Sequence, residues 1–281
     1  MSLHVRRAIA VAVCLTMVGT LHAIAGGLYG VTPFYTLDLS ETFERLSIAG
    51  ENAFSAMESL LSDLGVPPAE LAAIHDEFSE VMLGIKSQTA QFPAILPVPL
   101  LGAGIELRLP LVLIDAVRLS GGFLTDALIR SGAQLASLEI PDPLVDAAFE
   151  FGTYSGSVVA DLAFSSWMLS TEAVKRFDLL VMALDLGAGV DLIHGRVDVP
   201  IGLDVPVHLE SGMADAIDAL HLDGLHWSSF AIHGTLGFEI GLPFLRLYGD
   251  IRWLIPVGQT EEWWGIHVAP IAGMIGFVIR F

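Results

Sequence analysis

From about residue 98 to the C-terminus, apolar residues recur at every second position, and this alternation constrains the fold more than any other feature of the chain. Leu101, Ala103, Ile105, Leu107, Leu109, Leu111 and Leu113 alternate with Gly102, Gly104, Glu106, Arg108 and Pro110. The same period runs through 154–164, 180–192, 230–242, 245–255 and 271–281. It also runs through 197–209, where Pro200 and Pro206 mark an edge or a loop-borne ribbon rather than a central strand. Period two is the pattern of a strand with one apolar face and one polar or very small face. A soluble sandwich alternates as well, but its strands usually run about 5–6 residues. A tilted strand needs about 9–11 to cross an outer membrane, and these runs are that long. They predict an all-β, antiparallel transmembrane barrel. Seven runs and the even-number habit of such barrels predict eight strands, the eighth from 112–120 or 262–269, with ten as the alternative. The stretches 120–150, 165–178 and 210–228 read as loops, with Gly121-Gly122 and Asp142-Pro143 as turn signals.

Composition fits dispersed rather than clustered hydrophobicity. The chain is 53% hydrophobic with a mean hydropathy of +0.66. Yet beyond its start the best candidate spanning helix, Trp263 to Phe281, is broken by His267, Pro270 and Arg280. The start itself reads as an export leader. Arg6 and Arg7 precede an uncharged run from Ala8 to Leu21, and Ala23 and Ala25 are the small residues of a cleavage site. Cys14, the single cysteine, lies inside that run. Cleavage after Ala25 therefore leaves no disulfide and no cysteine-based metal site. Removing Arg6 and Arg7 from the 13 Lys+Arg leaves 11 against 32 Asp+Glu, a balance of −21. Such a charge argues against nucleic acid as a partner.

Before the alternation begins, the period is helical. Phe54, Met57, Leu61 and Leu64 share one face, and Leu71, Ile74, Phe78, Val81 and Ile85 repeat the spacing. Gly65 supplies a left-handed cap between them, and Pro67-Pro68 suits the first turn of the second helix. The outer face carries Glu51, Glu58, Asp63, Glu70, Asp76, Glu77 and Glu80, an acidic solvated face on an αα-hairpin. His75 reads as an exposed helix residue. The expected organisation is a leader over 1–25, an N-terminal segment with the hairpin over 26–97, and the barrel over 98–281.

In the last eleven residues Ile271, Gly273, Ile275, Phe277, Ile279 and Phe281 share one face, with Ala272, Met274, Gly276, Val278 and Arg280 on the other. This resembles the C-terminal signature of bacterial outer-membrane β-barrels. The acidic helical preface resembles compact outer-membrane proteins of spirochaetes. The resemblance implies residence in the bacterial outer membrane. It also implies that Ile275, Phe277, Ile279 and Phe281 are the assembly signal read by the barrel-assembly machinery, and that the last strand closes onto the first.

A charge facing lipid costs about 2–4 kcal/mol near mid-membrane. Glu106, Arg108, Asp161, Asp185, Asp191, Glu239, Arg246, Asp250 and Arg252 are therefore expected to face the lumen. Glycines on the same face (Gly102, Gly104, Gly187, Gly189, Gly237 and Gly241) leave room for a pore or for the hairpin. Two functions follow: a passive pore for small solutes, apolar ones included, or a closed barrel that is structural or meets partners at its surface. Trp227, Trp253, Trp263, Trp264, Tyr248 and Phe281 fall near strand ends, where aromatic girdles form. His221, Asp223 and His226 match no metal-ligand spacing and read as an exposed loop. Ser229 and His233 lack a G-x-S-x-G elbow, and no Gly-rich loop ends in the Lys of a phosphate site. Neither enzyme activity nor a cofactor or metal is expected. The expected partners are outer-membrane lipid, the assembly machinery and small solutes.

Overall fold

A computed structural model of the chain describes residues 25–63, 65–69, 71–72, 75–76, 79, 95–109, 111–137, 145–151, 154–160, 163–204, 210, 214, 225–259 and 265–281. The leader segment through Ala23 lies outside the described residues, as do Asp142-Pro143, Asp161, His221, Asp223, Trp263 and Trp264.

The chain opens with strand β1 (Ala25–Asp38) and helix α1 (Ser40–Asp63), followed by β2 (Ile95–Pro99), β3 (Leu101–Arg108) and β4 (Ala116–Thr125). Helix α2 (Asp126–Leu135) leads to β5 (Val145–Phe151) and β6 (Tyr154–Ala160). Then come β7 (Ala163–Leu179), β8 (Met182–Asp198), β9 (Ile201–Asp204), β10 (Leu225–Gly241), β11 (Leu245–Gln259) and β12 (His267–Arg280). Strands β1, β3, β4, β7, β8, β10, β11 and β12 pair antiparallel in that order, and β12 pairs back onto β1. The ring is closed. Strand β2 extends β3 along the same neighbour, with Phe34 opposite Pro99 and Val31 opposite Gly102. Leu100, between the two, donates its N–H to Pro33 O at 2.7 Å, so β2 and β3 are halves of one bent strand.

Eight strands were expected, and eight form the ring, but they are not all the expected ones. The barrel begins at Ala25 and not at residue 98. Pro33 and three glycines (Gly26, Gly27 and Gly30) blur the alternation of β1. The run 101–113 ends at Arg108, ahead of Pro110, and residues 109–115 turn the chain. Gly121-Gly122 marks no turn: it lies inside β4, where a Cβ on Gly122 would meet Pro33 Cγ at 2.6 Å and Leu100 Cβ at 2.9 Å. The run 154–164 divides between β6 and β7, and 165–178 is strand rather than loop. Strands β5, β6 and β9 form a separate three-stranded sheet. Pro200 thus flags a true departure from the barrel, since β9 follows it on that sheet, and Pro206 lies outside the described residues.

Both termini of the ring lie at one end, with its three short connections: 109–115, the Leu180-Val181 hairpin and 242–244. The long connections lie at the other end. There Asp38 Oδ1 accepts from Ser40 N (3.0 Å) and Ser40 Oγ (2.6 Å), which starts α1 some ten residues earlier than the apolar stripe suggests. Gly65, at φ +83, ends that helix as expected, with Gly65 N bonded to Ser62 O and Val66 N to Leu61 O. The described residues 68–69, 71–72, 75–76 and 79 of the second helix are helical. His75 sets its ring edge-on to Phe54 at 5.3 Å. Around the ring the outward faces are apolar, carrying Leu119, Leu169, Leu186, Leu236, Ile251 and Ile275 among others. Among the described residues no helix is long and apolar enough to cross a membrane. A chain that crosses would do so with its strands.

Candidate functional site: the barrel lumen

The inward positions of the eight strands fill the lumen in two layers. Toward the end that carries the termini the filling is ionic. Arg118, from β4, is its hub. Its Nη2 donates to Asp185 at 2.7 Å, Tyr29 Oη at 3.0 Å and Glu106 at 3.3 Å. Its Nη1 donates to Tyr248 Oη at 2.7 Å and Glu172 at 3.4 Å. The same guanidinium lies 4.8 and 4.7 Å from the ring centroids of Tyr29 and Tyr248, which meet edge to face at 5.2 Å. Arg176 spans Glu106, Asp185 and Glu239. Arg280, on the closing strand, binds Glu106 and Glu239 as well. Higher up, Arg252 contacts Asp250, Asp191 and Ser170. His233 Nδ1 lies 2.8 Å from Asp191 Oδ2, off the line of a hydrogen bond. A charge inside a barrel wall is tolerable when paired in this way and very costly when not.

Toward the long connections the filling is apolar. Tyr35, Leu100, Met168, Ile193, Trp227 and Leu254 form one buried cluster, joined by Ala49 of α1 and by Ile266. Its polar atoms satisfy one another: Trp227 Nε1 donates to Tyr35 Oη at 3.0 Å, and Tyr35 Oη meets Ser166 Oγ at 2.6 Å. Burying an indole is favourable only where its N–H finds such a partner.

Some inner glycines, Gly187 and Gly195 among them, make room for these side chains rather than leave the bore open there. A Cβ on Gly187 would fall 1.9 Å from Glu172 Oε1, whereas one on Gly189 would fall 2.0 Å from the backbone Thr171 O as well as 2.8 Å from His233 Nε2. One on Gly195 would fall 2.0 Å from Trp227 Cζ2. Nor do they house the hairpin, which belongs to the long-connection end. Gly241 sits at the β10–β11 turn with φ +145.

Of the residues expected to face the lumen, Glu106, Asp185, Asp191, Glu239, Asp250 and Arg252 are brought together inside and buried. Arg246 lies at the inner rim, 3.5 Å from Asp178 and 3.7 Å from Glu239. Arg108 is exposed at the rim and donates to Phe281 O at 2.8 Å. Ile275, Phe277, Ile279 and Phe281 all face outward. Trp253 is outward and exposed but pairs with Gly234, midway along β10, and Trp227 and Tyr248 are not girdle residues: both are buried in the lumen. Sequence reasoning misses Arg118, Glu172, Arg176 and Arg280. Glu172 and Arg176 lie in 165–178, which reads as loop, Arg118 lies in a stretch that is only one of two candidates for the eighth strand, and Arg280 sits on the inner face of the last strand without being counted among the lumen charges. Alternation of Val117, Leu119 and Phe123 would have exposed Arg118.

Below the ionic layer a vestibule of about 800 Å3 opens at the terminal end, lined by Arg108, Lys175, Arg176, Arg246 and Arg280. The Arg176 backbone N–H and Lys175 hold the Asp115 carboxyl there below the usual carboxylate range. At the opposite mouth Arg45 and His267 do the same to Glu41. Among the described residues no group of three or more His, Cys, Asp or Glu is placed to hold a metal ion.

No family model matches the chain, and no curated protein matches it. Among solved structures it is similar to the crystal structure of Neisserial surface protein A (NspA), at 11% identity, over 66% of this chain and 86% of that one, with a TM-score of 0.33. The architecture rests on the strand pairing itself. This is a closed eight-stranded barrel.

Proposed function

We propose that the protein is a closed outer-membrane barrel that presents its long connections at the cell surface and does not conduct solutes. The observation that carries the reading is the filled lumen: an ionic layer centred on Arg118 backed by an apolar layer centred on Trp227, with both side chains buried. An eight-stranded barrel has an interior just wide enough for side chains to fill, and here large ones fill it. Outer-membrane residence is supported by the apolar outward faces, the outward Phe281 and the asymmetry of the connections. Short turns lie on the periplasmic side and long loops outside in barrels of this class. That orientation puts α1, α2 and the β5–β6–β9 sheet outside the cell, where they are the surface available to partners.

The competing reading, a passive pore, requires a water path past both layers. Osmotic swelling of proteoliposomes loaded with small sugars separates the two. The closed reading predicts swelling no faster than in protein-free vesicles, and rapid swelling sinks it. Residence is tested separately: the protein should resist carbonate extraction and show heat-modifiable gel mobility, and deletion of Phe281 should weaken both. Release by carbonate without detergent would contradict a membrane barrel.

A further inference from the structure

The three short connections at the terminal end are largely apolar: apart from Pro110, Pro243 and Asp115 they hold only Leu, Val, Ile and Phe, whereas turns are ordinarily built from Gly, Pro, Asn, Asp and Ser. Val112 and Leu113 are 91% and 81% exposed, and Leu180 is 99% exposed. Leu242 and Phe244 are exposed in the third turn. Leu180 also takes φ +51, where a two-residue hairpin would favour Asn or Gly. Backbone sterics and contact with water both oppose a leucine there, so a rim standing in water leaves these choices unexplained.

On two of the strands the outward faces run into this rim without a charged residue, whereas the outward row of β7 carries Lys175, opposite Leu186. On β8 they run from Leu192 down to Met182 and on β10 from Phe230 to Ile240. Ten tilted residues span about 25 Å, the whole apolar band of such a barrel, so the band ends at the turns and not short of them. At the other end the same strands continue outward into His194, Arg196 and Ser228.

The rim encloses the vestibule, whose lining sets five cations against three acids (Glu106, Asp115 and Asp178), an excess of two positive charges in a chain of net charge −19. The acids nearby are largely committed. Glu106 is shared among Arg118, Arg176 and Arg280. Asp115 is held by Lys175 and the Arg176 backbone. Asp178, the remaining one, is 70% exposed at 3.5 Å from Arg246. Pro243, Phe244 and Phe281 complete the lining, so apolar rim and cationic cavity are continuous.

We infer that this rim is a lipid-binding surface, seated at the bilayer boundary, and that the vestibule takes the phosphate headgroup of an anionic phospholipid whose acyl chains lie against the turns. All three connections are largely apolar, as is the outward Phe281 where the ring closes, so the surface encircles the barrel. A bilayer covers such a surface, whereas one protein partner would cover a sector of it. Arg108 and Lys175, at the open edge, are the headgroup contacts, Lys175 sharing its charge with Asp115. The inference rests on the membrane-barrel reading.

Native mass spectrometry of the refolded full chain with phosphatidylglycerol or phosphatidylcholine tests the headgroup site. Wild type should retain phosphatidylglycerol preferentially, and the double variant Arg108→Gln/Lys175→Gln should lose that retention roughly tenfold. Equal retention of both lipids by wild type, or undiminished retention by the variant, overturns it. Leu180→Trp and Val112→Trp in vesicles of chain-brominated lipid test the seating. Added tryptophan fluorescence should be quenched; unquenched emission from a barrel that is folded by gel mobility overturns it. A chain that stays out of vesicles altogether sinks the membrane reading, and this inference with it.

Discussion

The two layers of the lumen solve one packing problem by opposite means. Near the termini, arginines and carboxylates from seven of the eight strands share partners so densely that no single pair can be assigned. Near the long connections, one indole, one phenol and aliphatic side chains fill the same cross-section with few polar atoms. Both layers fill the bore with buried side chains, but they should fail differently. The ionic layer depends on completeness, because removing one partner strands the others in a dry interior. The apolar layer depends on fit, because its cost scales with displaced or missing volume.

The largest effect expected from that difference is at the hub. Arg118→Met removes the common partner of Glu106, Glu172 and Asp185 and should cost about 3–5 kcal/mol, measured by urea unfolding in lipid vesicles. A loss no larger than that of an exposed-residue control would mean that the ionic layer is not an interdependent network. Next come two matched substitutions, one in each layer. Gly195→Ala drives a methyl into the rigid Trp227 ring, and Gly187→Ala drives one into the flexible end of Glu172. Each should cost about 1–3 kcal/mol, with Gly195→Ala the larger because an indole cannot swing aside. The reverse order would show that the ionic layer is the tighter packed.

The smallest effect is at the edge of the ionic layer. Asp115 has a folded-state pKa below its ordinary value, so its contribution is present above the unfolded pKa of about 3.9 and is lost as pH falls through the lower folded value. The site is solvent-exposed, so the effect is confined to the 109–115 turn. A side-chain NMR titration should place its midpoint below that of an unstructured aspartate. A midpoint at or above it contradicts the anchoring by Arg176 and Lys175.

Much of the barrel could be read from alternation, because lipid-length strands with an apolar face leave a strict period of two. Strands β8, β10, β11 and β12 carry it cleanly. Strand β1 does not, since Pro33 and its glycines occupy positions where a branched residue would have declared the face. Strand β7 is hidden for another reason: Glu172, Lys175, Arg176 and Asp178 cluster at one end, and a charge-rich segment reads as loop unless its inward register is known. Strand β6 shows the converse limit. Its alternation is as good as that of a barrel strand, but period two says that a strand has two faces and not which sheet it joins. The inner charges were legible because a lipid-facing charge is so costly. The glycines beside them were legible in position but not in meaning, because a missing Cβ leaves the same mark whether the space is open or taken by Trp227. For the same reason Trp227 and Tyr248 passed for interfacial residues: a polar tip on an aromatic body suits a headgroup and a satisfied lumen equally well.

In the reading proposed above, the two layers together close the bore. Single-channel recording of the refolded chain in a planar bilayer tests it most directly. Wild type is predicted to insert, shown by its folded gel mobility after recovery, and to pass no discrete current steps. Reproducible steps from wild-type protein would contradict a filled lumen and restore the pore.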